Sequence, residues 1–358
     1  MRKYYGTELV GKLSELFGPS GCEGNVAEFI ISQIDDCCDA YCTDRAGNVI
    51  AKICGGGLYY NADEPRRVMI CAHMDEVGVM VSDFTEEGYV KFAPIGSVDP
   101  RVLCGRGMIL GDENKKIDGI VASKAIHLQS AEERKHATPV SKMNIDIGAE
   151  NEAEARAVLD IGDVGVFRSE FATFGKDGKY MKGKALEGRL PCAAMIEIMR
   201  ELKEKRSELA CDLYFAFTCC EEIWFSATKV AAQSIRPHVA VVLDSVEAAD
   251  AGAGEPACSV KLGEGVAISF ADTGAIYDRQ LTELAIGEAE RGHVKYQIKR
   301  TATGKTGAVN IQRSCEGVKV VSVAAPVRYM HSASCVCDSE DYVSLKNFVS
   351  TLVAANKI

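Results

Sequence analysis

Residues 68–75 read VMICAHMD, an apolar run that leads directly into a histidine and an aspartate. Two later segments have the same design: LYFAFTCCEE at residues 213–222 ends in two glutamates, and VAVVLD at residues 239–244 ends in an aspartate. Each pattern predicts a buried strand that is followed by ionisable side chains. In an open α/β sheet, such side chains meet in the crevice beyond the carboxyl ends of the strands. The sequence therefore predicts a site for divalent cations, and zinc, cobalt and manganese suit imidazole and carboxylate ligands.

The composition limits the class of protein. The chain has 358 residues, 47% hydrophobic residues and a net charge of −10, which predicts a globular protein of more than one domain. Nucleic acid and anionic membranes are not expected as partners, because both are bound through clusters of Lys and Arg. No apolar run reaches the roughly 18 residues that a membrane span needs. The start of the chain is unlike an export signal and the 15 cysteines are predicted to be reduced thiols, so the expected location is the cytoplasm.

Patterns along the chain predict two kinds of structure. Residues 8–17 and 26–34 have the helical spacing of apolar side chains. From about residue 78 to 174, short alternating runs are interrupted by Gly or Pro, which is typical of β-rich sequence. Helices and strands alternate again from residue 183, and Pro191 is predicted to lie in the first turn of a helix.

These patterns predict an α/β fold with an insertion. The expected catalytic α/β domain consists of residues 1–75 and 175–358, and the inserted β-rich domain consists of residues 76–174. The insertion carries none of the candidate ligands, so its expected role is the pairing of subunits around a two-fold axis.

Five separated motifs resemble a known family. They are AHMDEVG at residues 72–78, GKALEGR at 183–189, CEE at 220–222, VLD at 242–244 and RYMHS at 328–332. In order and spacing they resemble the M42 family of metalloaminopeptidases. The resemblance implies a phosphorylase/hydrolase-like catalytic domain and a β-barrel-like insertion that drives dimerisation. It also implies two divalent metal ions per subunit, peptide substrates, and homo-oligomers that range from a dimer to a dodecamer.

Roles for the candidate ligands follow from their chemistry. We expect His73 and His331 each to present a neutral imidazole to one metal ion. Glu222 and Asp244 are each expected to complete the ligand set of one ion, and a carboxylate between the ions is expected to bridge them. The resemblance assigns that bridging position to Glu187. Zinc and cobalt are the expected ions.

Two further acids are expected to assist the ligands. Asp75, two residues after His73, is predicted to accept a hydrogen bond from that imidazole and so to fix its tautomer. Glu221 is predicted to take a proton from the attacking water and to return it to the leaving amine.

The chain departs from the family pattern in four places. The family has a bridging Asp followed by Asn or Asp, whereas this chain has Glu187 followed by Gly188. The extra methylene of Glu187 lengthens the reach of the carboxylate by roughly an ångström. Trp224 replaces a Gly, Lys305 replaces an Asp and Cys335 replaces a Glu. We therefore expect a second metal ion that is bound weakly, while the neighbouring Gly188 supplies backbone freedom that absorbs part of the extra length.

Three hypotheses for function follow from these departures. The first is an active aminopeptidase that removes N-terminal residues from peptides. The second is a non-catalytic or single-metal assembly protein that keeps the fold and the oligomer. The third is a related di-metal amidohydrolase or carboxypeptidase. The preferred N-terminal residue, the native metal and the size of the oligomer do not follow from the sequence.

Overall fold

The computed structural model describes residues 2–57, 60–61, 63–223, 227–251 and 260–358. The helices within these ranges are α1 (Gly6–Glu15), α2 (Gly24–Ile34), α3 (Glu152–Val158), α4 (Leu186–Lys205), α5 (Thr228–Ile235), α6 (Arg279–Arg291), α7 (Ala308–Gln312) and α8 (Ser339–Ala354). The strands are β1 (Ala40–Thr43), β2 (Val49–Ile53), β3 (Arg67–His73), β4 (Gly78–Phe84), β5 (Val90–Ile95), β6 (Gly107–Gly111), β7 (Lys116–Val121), β8 (Ile145–Asp146), β9 (Val164–Phe167), β10 (Ala172–Phe174), β11 (Tyr180–Gly183), β12 (Asp212–Thr218), β13 (Val239–Glu247), β14 (Val266–Ser269), β15 (Tyr296–Lys299), β16 (Lys319–Arg328) and β17 (Cys335–Asp338).

A large mixed sheet forms the centre of the molecule. Its main path runs β1-β2-β12-β3-β13-β16-β17-β11-β10, and β14 pairs with both β15 and β16. The four strands β12, β3, β13 and β16 are parallel neighbours. Their carboxyl ends therefore lie along one edge of the sheet, as the sequence predicts for the strands that end near His73, Glu221 and Asp244.

Helices cover both faces of this sheet, which explains why its central strands read as continuous apolar runs. Successive side chains of β3 point to opposite faces. Val68 and Ile70 belong to the apolar core beneath α1, α2, α4 and α8. Met69 and Cys71 belong to the core beneath α5 and α7.

A closed barrel interrupts the α/β part of the chain. Its strands follow the order β4-β5-β8-β7-β6-β9, and its interior is a separate apolar cluster. Strand β10 lies inside the range 76–174 that the sequence predicts for the insertion, yet it pairs with β11 in the large sheet. The fold as a whole is mixed α/β.

Two details of the helices bear on the sequence predictions. Pro191 does not lie in the first turn of its helix, because α4 begins at Leu186 and continues through the proline. The prediction was wrong because Ala185, with a left-handed φ of 57°, turns the chain into the helix before the proline is reached. Among the described residues, no helix has both the length and the apolar character required to cross a membrane.

Candidate metal centre

The parallel strands deliver the first candidate ligands. His73 is the last residue of β3 and is paired with Thr218, the last residue of β12. Asp244 lies on β13, two positions beyond the pair that Val242 forms with Cys71. The two side chains converge: His73 Nε2 is 3.7 Å from Asp244 Oδ1. Both residues are buried.

Three residues with a left-handed backbone conformation help to bring the remaining ligands to the same edge of the sheet. Ala185 adopts a left-handed conformation, so Glu187 falls in the first turn of α4. Cys220 has a φ of 57°, which turns the chain after β12 so that Glu222 can reach the site. His331 follows β16 and has a φ of 57°. The His331 imidazole then lies with Nε2 2.9 Å from Glu187 Oε2 and 3.4 Å from Glu222 Oε2.

The five side chains form two overlapping groups. His73, Glu187 and Asp244 make one group, and Glu187, Glu222 and His331 make the other. Within each group, one potential ligand atom of every residue lies within 4.8 Å of the others. Glu187 is the residue that belongs to both groups.

The surroundings of His331 Nε2 require a positive charge. The Nδ1 atom of the same ring lies 2.8 Å from the carbonyl oxygen of Ser97, and a carbonyl can only accept a hydrogen bond, so Nδ1 is the donor. Nε2 is buried and faces the carboxylates of Glu187 and Glu222 at 2.9 Å and 3.4 Å. A neutral ring would direct its lone pair at two negative charges, so the arrangement requires a positive charge, either a proton on Nε2 or a cation bound by the three side chains.

The pKa values of the two imidazoles are raised by the carboxylates that surround them. Burial lowers the pKa of His331, but Glu187 and then Glu222 outweigh it and raise that pKa to about 10. Burial likewise lowers the pKa of His73, and the opposing effects of Asp244 and Asp75 leave that pKa well above its ordinary value. Burial, followed by the charge of Glu187, raises the pKa of Glu222. Divalent cations would neutralise this charge, and the imidazole and carboxylate donors suit zinc or cobalt.

Asp75 contacts one residue of each ligand group. Its Oδ1 lies 3.4 Å from His73 Nδ1, at a position that could orient the ring. The same carboxylate accepts hydrogen bonds from the backbone N–H of Glu221 at 3.1 Å and of Glu222 at 3.0 Å. Ser20 Oγ donates a further bond at 2.6 Å. Asp75 therefore ties the end of β3 to the turn after β12.

Glu221 lies in the site but belongs to neither ligand group. It lines, together with Glu187, Glu222 and Asp244, an open cavity of about 320 Å³. The backbone of Gly307 makes room for its carboxylate, because a β-carbon at that glycine would lie only 3.2 Å from Glu221 Oε2. The structure thus brings together all seven residues that the sequence predicts for the site.

The structure also identifies site residues that sequence reasoning missed. Ser97 belongs to the segment after β5, so the inserted barrel contributes a carbonyl that orients His331. Ser245 Oγ donates a 2.8 Å hydrogen bond to the backbone carbonyl of Glu187. Ser245 directly follows the candidate ligand Asp244, and Ser97 directly follows the Gly96 that adjoins Glu222. Adjacency to the VLD motif was the only signal for Ser245 in the sequence, and Ser97 adjoins none of the five motifs.

The expected role of Gly188 is corrected by the structure. It lies inside α4 and does not have a left-handed φ, so it supplies no special backbone freedom. A β-carbon there would instead collide with His73, at 2.6 Å from Cε1 and 2.8 Å from Nδ1.

The remaining departures from the family pattern have different positions. Lys305 lines the same cavity as Glu221. Cys335 is buried beside Ser332 and close to Glu187. The remaining departure, Trp224, lies outside the described residues.

Comparisons with known proteins identify the family. The sequence model of M42 glutamyl aminopeptidases matches residues 47–348. The TET aminopeptidase of the marine sediment archaeon Thaumarchaeota archaeon SCGC AB-539-E09 has a TM-score of 0.91 at 29% sequence identity, over 97% of this chain and 95% of that chain. The TET1 peptidase of Pyrococcus horikoshii, which can assemble into a tetrahedron or a large octahedral shell, has a TM-score of 0.84 at 32% identity, over 97% and 98% of the two chains. The lysyl aminopeptidase of Pyrococcus furiosus is 29% identical over 342 residues, which are 93% of this chain and 92% of that relative.

The fold and the site are those of a metallohydrolase. The chain belongs to the M42 peptidase family, and it is a metal-dependent aminopeptidase.

Proposed function

We propose that each subunit holds two divalent cations, zinc or cobalt. One would be bound by His73, Glu187 and Asp244, and the other by Glu187, Glu222 and His331. The observation that carries this proposal is the membership of Glu187 in both groups, because a shared carboxylate is what a two-metal site requires. Elemental analysis of protein purified in the presence of added zinc, so that a weak second site is also filled, tests it: two equivalents are expected, and the His331→Ala variant should retain one. A wild-type protein that takes up no second equivalent would contradict the proposal.

The bound cations would polarise the scissile carbonyl and activate the attacking water. The protein side chains perform the proton transfers. Glu221 would accept a proton from the water and return it to the departing amine, since its carboxylate borders the cavity without belonging to a ligand group. Asp75 would hold the His73 ring and the backbone of Glu221 in register through its Oδ1, while its Oδ2 accepts hydrogen bonds from the Glu222 N–H and the Ser20 hydroxyl.

The cavity wall favours substrates with an acidic N-terminal residue. Lys299 and Lys305 line it together with Thr301, Thr303 and Thr306. These side chains offer ammonium and hydroxyl donors that suit a carboxylate. The substrates would thus be peptides that begin with Glu or Asp.

Aminoacyl-anilide kinetics test this preference. Hydrolysis of glutamyl and aspartyl anilides should exceed that of glutaminyl, leucyl and lysyl anilides. Lys305→Met should lower kcat/KM for the glutamyl substrate by about tenfold or more, the effect of losing a hydrogen bond to a charged group, and should spare the leucyl substrate. Lys229→Met is the matched control, because Lys229 is exposed on α5 and does not line the cavity. Equal losses for both substrates would remove Lys305 from recognition.

The assembly is proposed to depend on the inserted domain at residues 76–174, with residues 1–75 and 175–358 as the catalytic domain. The inserted domain exposes large apolar side chains, Ile120 on β7 and Ile126 and Leu128 between β7 and β8, and exposed apolar surface of this kind is typical of interfaces. A two-fold contact between barrels would give a dimer. Further contacts would extend it toward a dodecamer, and the expected location is the cytoplasm.

A further inference from the structure

The first turn of α4 contains a glycine that no backbone requirement explains. Gly188 follows the shared residue Glu187, lies within the helix and lacks a left-handed φ. Glycine is a poor helix former in such a position. Its presence there therefore needs a reason in packing.

The neighbour that requires the glycine is His73. A β-carbon at position 188 would lie 2.5 Å from the His73 carbonyl oxygen, 2.6 Å from Cε1 and 2.8 Å from Nδ1. Carbon atoms in ordinary contact are separated by about 3.5–4.0 Å. One edge of the imidazole thus packs directly on the bare backbone of α4. The ring is only 4% exposed, and Asp75 and Asp244 flank its two nitrogens, so it has little room to retreat.

We propose that Gly188 is a positioning residue for one of the two cations. Its missing side chain lets His73 pack against the same helical turn that carries Glu187, so that both can approach one cation together with Asp244. The inference rests on the proposed ligand set. Any side chain at position 188 must displace the ring by several tenths of an ångström, whereas metal–ligand distances tolerate about 0.2 Å. The second group adjoins Gly188 only through the shared residue Glu187, and neither Glu222 nor His331 is among the atoms nearest to a β-carbon at position 188. The cation bound by His73 should therefore be affected most.

The test is calorimetric titration of metal-free protein with Zn²⁺. Wild type should bind two equivalents, and Gly188→Ala should bind the His73 equivalent at least tenfold more weakly, with a smaller loss for the other equivalent. Gly287→Ala is the matched control: it makes the same change in helix α6, where a β-carbon would meet only Arg291 Nη2 at 3.8 Å. Two unchanged equivalents in Gly188→Ala would overturn the inference and leave the proposed function intact. A wild type without two equivalents would refute the proposed ligand set itself.

A stability cycle on metal-free protein separates positioning from simple packing. The loss of thermal stability caused by Gly188→Ala should be smaller in a His73→Ala background, because the colliding ring is absent there. If Gly188→Ala fails to fold but the double variant folds, the inference also stands. Equal losses in both backgrounds, or failure of both proteins to fold, would show that the glycine serves only the backbone contact and would overturn it.

Discussion

Replacing Glu221 should lower the catalytic rate without changing the metal content. Glu221→Gln keeps the shape of the side chain but cannot accept a proton, so kcat should fall by about 10²- to 10⁴-fold. Because Glu221 belongs to neither ligand group, the metal content should equal that of wild type. Steady-state kinetics and elemental analysis on the same preparation check both statements.

The control for this variant is Glu283→Gln, which removes an exposed carboxylate paired with Arg279 on α6. It should leave kcat and metal content unchanged. A Glu221→Gln protein with nearly normal kcat would exclude Glu221 as the proton carrier.

Glu187→Asp tests whether the longer side chain is a working replacement. The sequence alone suggests that Asp would strengthen the second cation site. In the structure the Glu187 carboxylate already reaches both groups, so shortening it by roughly an ångström should lower the metal content below that of wild type. Elemental analysis measures the change, with Glu316→Asp at an exposed position as control. A higher metal content in Glu187→Asp would restore the expectation from sequence.

The site residues could be predicted from sequence where they come at or just after the end of a strand. His73 and Glu221 are of this kind, because an apolar run marks each strand and the polar side chains at its end lie at the carboxyl edge of the sheet. Asp244 also follows an apolar run, although β13 continues beyond it to Glu247. Ser97 and Ser245 could not be predicted, since each contributes a single hydrogen bond that depends on tertiary contact. Gly188 was visible in the motif, but the sequence does not show that the His73 imidazole packs against it and leaves no room for a side chain.

The first turn of α4 is joined to β13 by an unusual hydrogen bond. Pro191 has no N–H, so the carbonyl of Glu187, four residues earlier, lacks its helical partner. Ser245 Oγ donates to that carbonyl instead, at 2.8 Å. The helix that carries Glu187 is thereby tied to the strand that carries Asp244.

Ser245→Ala should break this connection. The buried carbonyl would lose its partner, which costs about 1–3 kcal/mol of unfolding free energy, and the cation between Glu187 and Asp244 should bind more weakly. Denaturant unfolding and zinc titration measure the two effects. Ser350→Ala, which removes an exposed bond to Glu201, is the control. A Ser245→Ala protein as stable as this control would show that water replaces the hydroxyl.

The helices were less predictable than the strands because local signals compete there. Proline favours the first turn of a helix, and this preference misplaced the start of α4. The left-handed turn at Ala185 overrides it, and alanine gives no sequence signal for such a conformation. The two early helices, in contrast, have strong apolar periodicity, and the structure places them at Gly6–Glu15 and Gly24–Ile34.

The assembly should respond to charge placed on the barrel. Ile126 and Leu128 are 70% and 64% exposed, and we expect them to be covered by a second subunit. The double variant Ile126→Glu/Leu128→Glu should convert the oligomer to a smaller species, because burying two carboxylates in an apolar contact is unfavourable. Light scattering coupled to gel filtration gives the mass.

Val230→Glu on α5, which is 42% exposed, is the matched control and should keep the wild-type mass. If the barrel variant also keeps that mass, the subunits meet elsewhere. The barrel itself could be predicted only as β-rich sequence. Its closure depends on pairing between β6 and β9, and these two strands are too far apart in the chain for a local pattern to indicate that they pair.

The order of the strands has a consequence for how the chain acquires its structure. All six barrel strands lie in one continuous stretch, from Gly78 to Phe167. Strand β3, in contrast, finds its neighbours β12 and β13 only after that stretch is complete. Because distant contacts close more slowly, we expect barrel amides to gain protection from hydrogen exchange during refolding before those of β3. Simultaneous protection would contradict this order. The catalytic edge, which also needs His331, would then form after the barrel.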